Sequence, residues 1–135
     1  MQQKAFPESR SDADWRSMLS DDRYRVLRRH GTEPAGSSPL NREKRTGVFR
    51  CAGCGADLFD SAAKYESGSG WPSFTAPRED AVGTTRDASH MMERTEVHCA
   101  RCGGHLGHVF DDGPQPSGLR YCLNGTALDF EPAKD

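Results

Sequence analysis

Five cysteines carry most of the chemistry this sequence can do, and four of them fall into two pairs. The first pair is Cys51-Ala-Gly-Cys54, and the second, Cys99-Ala-Arg-Cys102, begins 45 positions after Cys54. A Cys-x-x-Cys turn sets two thiolates on one side of a tight knuckle, and the neighbouring glycines let backbone amides point at the sulfurs. Two such knuckles supply the tetrahedral shell that structural zinc takes. With thiolate in all four positions no place remains for water, so the one Zn2+ predicted is structural and not catalytic. The separation is longer than in a compact zinc ribbon. The knuckles are therefore expected to end strands distant in sequence, with the metal tying two halves together. The competing readings are a redox pair in one knuckle, or disulfides. A redox pair usually opens a helix in a βαβ unit, and no such alternation is visible.

The fifth cysteine, Cys122, lies in Gly118-Leu119-Arg120-Tyr121-Cys122-Leu123-Asn124. A lone cysteine is either a small buried hydrophobe or a nucleophile. Arg120 two residues before it favours the thiolate, the form that attacks. Asn124 two residues after it, on the same side of a strand, places an amide beside the sulfur. Directly after the second knuckle comes His105-Leu106-Gly107-His108. This spacing allows two imidazoles on one face of a turn, as metal ligands or as an acid and its orienter, or simply two surface histidines. It is not the HExxH of a zincin, having neither the glutamate nor the spacing of four. Gly68-Ser69-Gly70-Trp71-Pro72-Ser73-Phe74 offers Trp71 either as packing or as the flat apolar wall of a pocket.

These groups need elements to hold them. Of the 135 residues only 34% are hydrophobic and 14 are glycine, which bounds the apolar core and favours a metal staple in a single domain. Residues 1–12 are expected to be a flexible tail and 13–132 the domain. Ser11 or Asp12 caps a first helix through Trp15 and Met18; Ser20-Asp21-Asp22 caps a second that carries Tyr24, Val26 and Leu27 and stops at Gly31 and Pro34. The run Arg23, Arg25, Arg28, Arg29 reads as a solvated helix face. From Gly47 onward, GVFRC, TEVHC, GHVF, RYCLN and ALDF are short β segments separated by glycine and proline, a mostly antiparallel region. A net charge of -2 excludes a protein whose whole surface attracts nucleic acid. No stretch approaches the apolar length of a membrane span or a signal peptide, and a cytoplasmic protein is expected.

Taken together, CAGC, SGSGWPSF, CARCGGHLGHVFDDGPQPSGLRYCLNG and ALDF resemble the B-type methionine sulfoxide reductases, which reduce the R epimer of methionine sulfoxide. The resemblance runs from about Trp15 to Phe130. It implies a mainly β fold of two small twisted antiparallel sheets with N-terminal helices packed outside and zinc joining the two knuckles. It also implies Cys122 as nucleophile, Cys51, Cys54, Cys99 and Cys102 as zinc ligands, and Trp71, His105, His108 and Asn124 in the active site, with Arg120 beside the thiol. Implied partners are oxidised proteins or peptides and thioredoxin or another thiol reductant, with no nucleic acid or membrane, in a monomer serving protein repair under oxidative stress. One position departs from the pattern. Many members carry a second, resolving cysteine just before GWPSF, where this chain has Ser69. Two rival readings are a zinc-ribbon-like binding module without chemistry and a thiol peroxidase.

Overall fold

The two N-terminal helices form where their caps are. The computed structural model describes residues 6–88 and 93–133, so residues 1–5 of the expected tail lie outside the described residues. Ser11 accepts a hydrogen bond from Asp14 N–H (3.1 Å) at the start of helix α1, Asp12–Met18. Ser20 accepts from Arg23 N–H (3.3 Å) at the start of α2, Asp21–Arg29. Aspartates fill both first turns and arginines the last, matching the helix dipole. His30 ends α2 in the left-handed conformation at φ 57°. Before α1, Glu8 N–H donates to Arg101 C=O (2.8 Å) and Phe6 meets His98 edge-on, so residues 6–8 lie along the second knuckle.

Trp15 and Leu27 are buried and turn the helices onto the cysteine knuckles. A Cβ at Gly104 would stand 2.9 Å from Leu27 Cδ2, so glycine lets α2 come this close. The arginine run is only partly the solvated face expected from sequence. Arg25 and Arg29 are exposed, but Arg28 stacks on Trp15 (4.6 Å) and donates to Cys102 C=O (3.1 Å), and Arg23 pairs with Asp129 (2.7 Å). Planar guanidinium groups serve here as packing plates and fork donors as well as charges.

From Gly47 onward the chain is mainly β, as expected. Among the described residues the strands are β1 (Gly47–Cys51), β2 (Asp57–Asp60), β3 (Lys64–Tyr65), β4 (Ser73–Phe74), β5 (Val82–Asp87), β6 (Arg94–Cys99), β7 (His105–Phe110), β8 (Arg120–Leu123) and β9 (Leu128–Pro132). They build two antiparallel sheets, in the orders β2-β1-β9 and β3-β4-β8-β7-β6-β5. Phe49 and Phe59 of the first sheet meet Phe74 of the second at 5.0 and 4.5 Å between ring centroids, and all three are fully buried. This aromatic joint is one link between the sheets. The cysteine cluster is another, because Cys51 ends β1 and Cys99 ends β6. Among the described residues no helix is long and apolar enough to cross a membrane.

Candidate active site and metal centre

The four knuckle sulfurs converge. Cys51 Sγ and Cys102 Sγ are 3.7 Å apart, Cys54 Sγ and Cys99 Sγ 3.6 Å, and all four lie within 4.8 Å of one another. Zinc–sulfur bonds of about 2.3 Å in a tetrahedron put sulfurs roughly 3.8 Å apart, so the donor set and its spacing fit zinc. Gly53 N–H and Gly104 N–H point at Cys51 and Cys102 at 3.4 Å, as the glycines in the motif led one to expect. Cys51, Cys99 and Cys102 are buried, and the cluster is a structural zinc site that clamps one sheet to the other. When bound, the ion supplies cross-linking and no open coordination position.

A second group forms across the middle of the larger sheet. Antiparallel partners in register project to the same face, and here that rule draws a line across the whole sheet. Tyr65 faces Ser73, Ser73 faces Cys122, Cys122 faces His108, His108 faces Glu96, and Glu96 faces Thr85. The thiol thus sits between a serine hydroxyl and an imidazole. The other face, with Phe74, Val97 and Leu123, is the core.

His105 and His108 lie on a strand and not on the turn the sequence suggested. Three apart on a regular strand they would point to opposite faces. Between β6 and β7, however, Val97 faces Gly107 and the next residue, His98, faces His105, which leaves Leu106 as an extra residue. That bulge brings the two rings to 5.5 Å, edge to face. Gly107 between them is there for space: a Cβ would run into Cys122 C=O and come within 2.9 Å of Leu123 Cα.

Beside Cys122 opens a cleft of about 110 Å³, lined by Trp71, His108, Phe110, Asn124, Thr32 and Arg94 among others. Trp71 is held by donating from Nε1 to Glu33 C=O (3.0 Å). Asn124 spends its amide on the backbone: Oδ1 accepts from Glu33 N–H (2.9 Å) and Nδ2 donates to Leu106 C=O (3.1 Å). Glu33 is the pin of this wall. Its buried carboxylate accepts from Gly125 N–H, Thr126 N–H and Thr126 Oγ1 at 2.9, 2.8 and 2.7 Å. Glu33 lies between Gly31 and Pro34, which stop the second helix, and no local sequence pattern marks it. His105 is not in the cleft lining; it lies behind His108 with Nδ1 2.8 Å from Glu96.

Electrostatics set the proton inventory. Burial pushes the Cys122 thiol above its ordinary value, while the Ser69 hydroxyl and the Arg120 charge pull it back only in part. Ser69 Oγ stands 3.9 Å from Cys122 Sγ, and Ser67 Oγ links it (2.8 Å) to Ser73 (2.7 Å). Arg120 faces the thiol from outside the cleft, stacked on Phe110 (4.5 Å) and forked onto Asp112 at 2.9 and 3.1 Å. Burial also holds the His108 imidazole below its ordinary value, against the Asp87 carboxylate 2.9 Å from Nε2. With a carboxylate there, Nε2 carries the hydrogen, and Nδ1, which has no hydrogen-bond partner among the described residues, can take and give a proton. Asp87, on a polar edge strand, was another residue the sequence did not single out.

Fold and site together describe a zinc-stapled β protein with one thiol, flanked by an imidazole, beside a small cleft. Residues 19–132 match the SelR domain family. The chain is 54% identical over 127 residues to "Peptide methionine sulfoxide reductase MsrB" of Leptospira interrogans, covering 93% of this chain and 97% of that one. It is 56% identical over 120 residues to the protein of the same name from Pseudomonas putida (strain W619), covering 88% and 90%. Among solved structures, that of the Mis18 'Yippee-like' domain superposes with a TM-score of 0.54 at 20% identity, over 67% of this chain and 100% of that chain, a likeness of fold alone. The chain belongs to the SelR domain family of MsrB-type peptide methionine sulfoxide reductases.

Proposed function

We propose that the chain carries out its family's reaction, thiol-dependent reduction of the R epimer of methionine sulfoxide in proteins, at the cleft beside Cys122. The observation that carries this reading is the placement of Cys122 in register between His108 and Ser73, on the cleft walled by Trp71 and Phe110. The methyl group of the sulfoxide packs on the indole, and the oxygen turns toward His108. A sulfoxide sulfur is chiral. With methyl, oxygen and attacking thiol each given a fixed side, one epimer fits and its mirror image sets oxygen against the apolar wall.

The Cys122 sulfur attacks the sulfoxide sulfur as its proton passes to His108 Nδ1, and the imidazolium delivers that proton to the sulfoxide oxygen. An imidazolium whose pKa is held down is the stronger acid toward so weak a base. Two electrons pass from the Cys122 sulfur to the methionine sulfur and the oxygen passes back, leaving methionine and a Cys122 sulfenic acid. His105 and Glu96 position His108, Asn124 and Glu33 hold the cleft wall, and Arg120 with Ser69 favours the thiolate. Two reducing thiols, from thioredoxin or another donor, then return the sulfenic acid to thiol and release water. The protein works as a monomer in the cytoplasm, in repair of oxidised proteins.

One turnover without reductant is expected to leave the sulfenic acid, since the other four cysteine sulfurs belong to zinc and Ser69 holds no thiol. The oxidised protein should take up one dimedone. In Ser69→Cys, with the side-chain atoms already 3.9 Å apart, intact mass should instead show loss of two hydrogens and no adduct. Zinc release together with a disulfide in the unmodified protein would show a knuckle cysteine resolving Cys122 and would end the one-cysteine scheme.

A further inference from the structure

Four of the five histidines, His30, His98, His105 and His108, gather on one side of the larger sheet, and three of them surround a single carboxylate. Glu96 Oε2 is 2.8 Å from His105 Nδ1 and 3.4 Å from His30 Nε2, and Oε1 is 3.5 Å from His98 Nδ1. Arg86 and Arg94, which line the same cavity of about 480 Å³, are paired with Glu93 and Asp87. The partners of Glu96 are imidazoles instead.

The geometry points to a second metal site, separate from the cysteine cluster, in which His30 Nε2, Glu96 Oε2 and His105 Nδ1 hold one borderline divalent transition ion such as Zn2+, Ni2+ or Cu2+. Bonds of about 2.0–2.2 Å to nitrogen and oxygen place neighbouring donors roughly 2.9–3.4 Å apart at tetrahedral to octahedral angles. The separations from Glu96 Oε2 are 2.8 and 3.4 Å, and one donor atom from each of the three residues lies within 4.8 Å of the others. Two imidazoles and one carboxylate suit these ions better than Mg2+ or Ca2+, which take oxygen. His98 on the far carboxylate oxygen orients the ligand as an outer partner does. The cavity leaves the remaining coordination positions to water.

The site adjoins the cleft, because His105 meets His108 edge-on at 5.5 Å and His108 lines both hollows. An ion there takes His105 Nδ1 away from its hydrogen bond with Glu96 and sets positive charge beside His108. The His105–Glu96 pair that positions His108 is then broken, and sulfoxide reduction slows. This consequence, unlike the binding itself, rests on the role given to His108 above.

His30 is the ligand to change, being exposed and outside the reductase machinery. His30→Asn is the variant of choice, since asparagine tolerates the left-handed cap at φ 57° and is a poor ligand for these ions. Calorimetric titration of the zinc-loaded protein with Ni2+ should show one further equivalent, in the wild type and in Cys122→Ser alike. In His30→Asn the affinity should fall by more than about tenfold, the lower end of what loss of an outer partner costs. Co2+ in the same site should lack a thiolate charge-transfer band, and Ni2+ should inhibit turnover of the wild type far more than that of His30→Asn. No further equivalent, unchanged affinity in His30→Asn, or a thiolate band would overturn the site. Binding without inhibition would overturn the brake. A wild type that binds Ni2+ as described but does not reduce the sulfoxide in metal-free buffer would count against the reductase reading alone.

Discussion

Cys54→Ser or Cys99→Ser is expected to release the zinc and unfold the protein, whereas Cys122→Ser keeps both metal and fold. The two pairs of sulfurs come from the ends of β1 and β6, which belong to different sheets. Removing one of four ligands from a closed site forfeits much of a binding energy that is on the order of 10 kcal/mol in simple zinc peptides, comparable with the whole stability of a domain. The apolar core around Phe49, Phe59 and Phe74 would have to hold the sheets without the metal, in a chain only 34% hydrophobic. Cys122 is half-buried and sits apart from the cluster, so its replacement by a near isostere touches neither link. Metal analysis with thermal melts decides the matter. Full zinc in the Cys54→Ser protein would contradict the tetrad.

His108→Ala is expected to slow sulfoxide reduction by roughly 100- to 10,000-fold, the range that general acid catalysis commands. Iodoacetamide alkylation of Cys122, measured at a pH high enough to ionise the thiol unaided, should not change, because alkylation transfers no oxygen and needs no proton. His105→Ala should do less, since His105 stands behind His108 and outside the cleft lining. Single-turnover rates compared with alkylation rates separate the two roles. At that pH the thiol ionises without His108, so a parallel loss in both would mean that the substitution disturbs access to Cys122 itself, and the donor would have to be sought at His105.

What the sequence disclosed and what it withheld follow from the range of the interactions involved. The zinc ligands were legible because each knuckle is a local turn whose chemistry depends on residue type and a spacing of three. The strands through GVFRC, TEVHC, GHVF, RYCLN and ALDF were legible because they alternate or carry branched and aromatic residues. Strands β3 and β4 have two residues each, too few for any period, and β5 is a polar edge strand with little burial. Glu33 and Asp87 enter the site only through pairing: Glu33 bonds groups more than 90 positions away, and Asp87 reaches His108 because β5 and β7 flank β6. The bulge at Leu106, which turns His105 to the face of His108, is likewise a property of two strands and not of one. Asn124 was expected beside the sulfur, and its amide holds Glu33 and Leu106 instead, at the edge of the same cleft.

The central claim, that Cys122 and the cleft beside it reduce one epimer of methionine sulfoxide, is tested most directly by an epimer-resolved assay on a methionine sulfoxide peptide with dithiothreitol as reductant. Wild-type protein should convert the R epimer to methionine and leave the S epimer untouched, and zinc-loaded, folded Cys122→Ser should convert neither. Reduction of both epimers alike, or persistence of R-epimer reduction in Cys122→Ser, would contradict it.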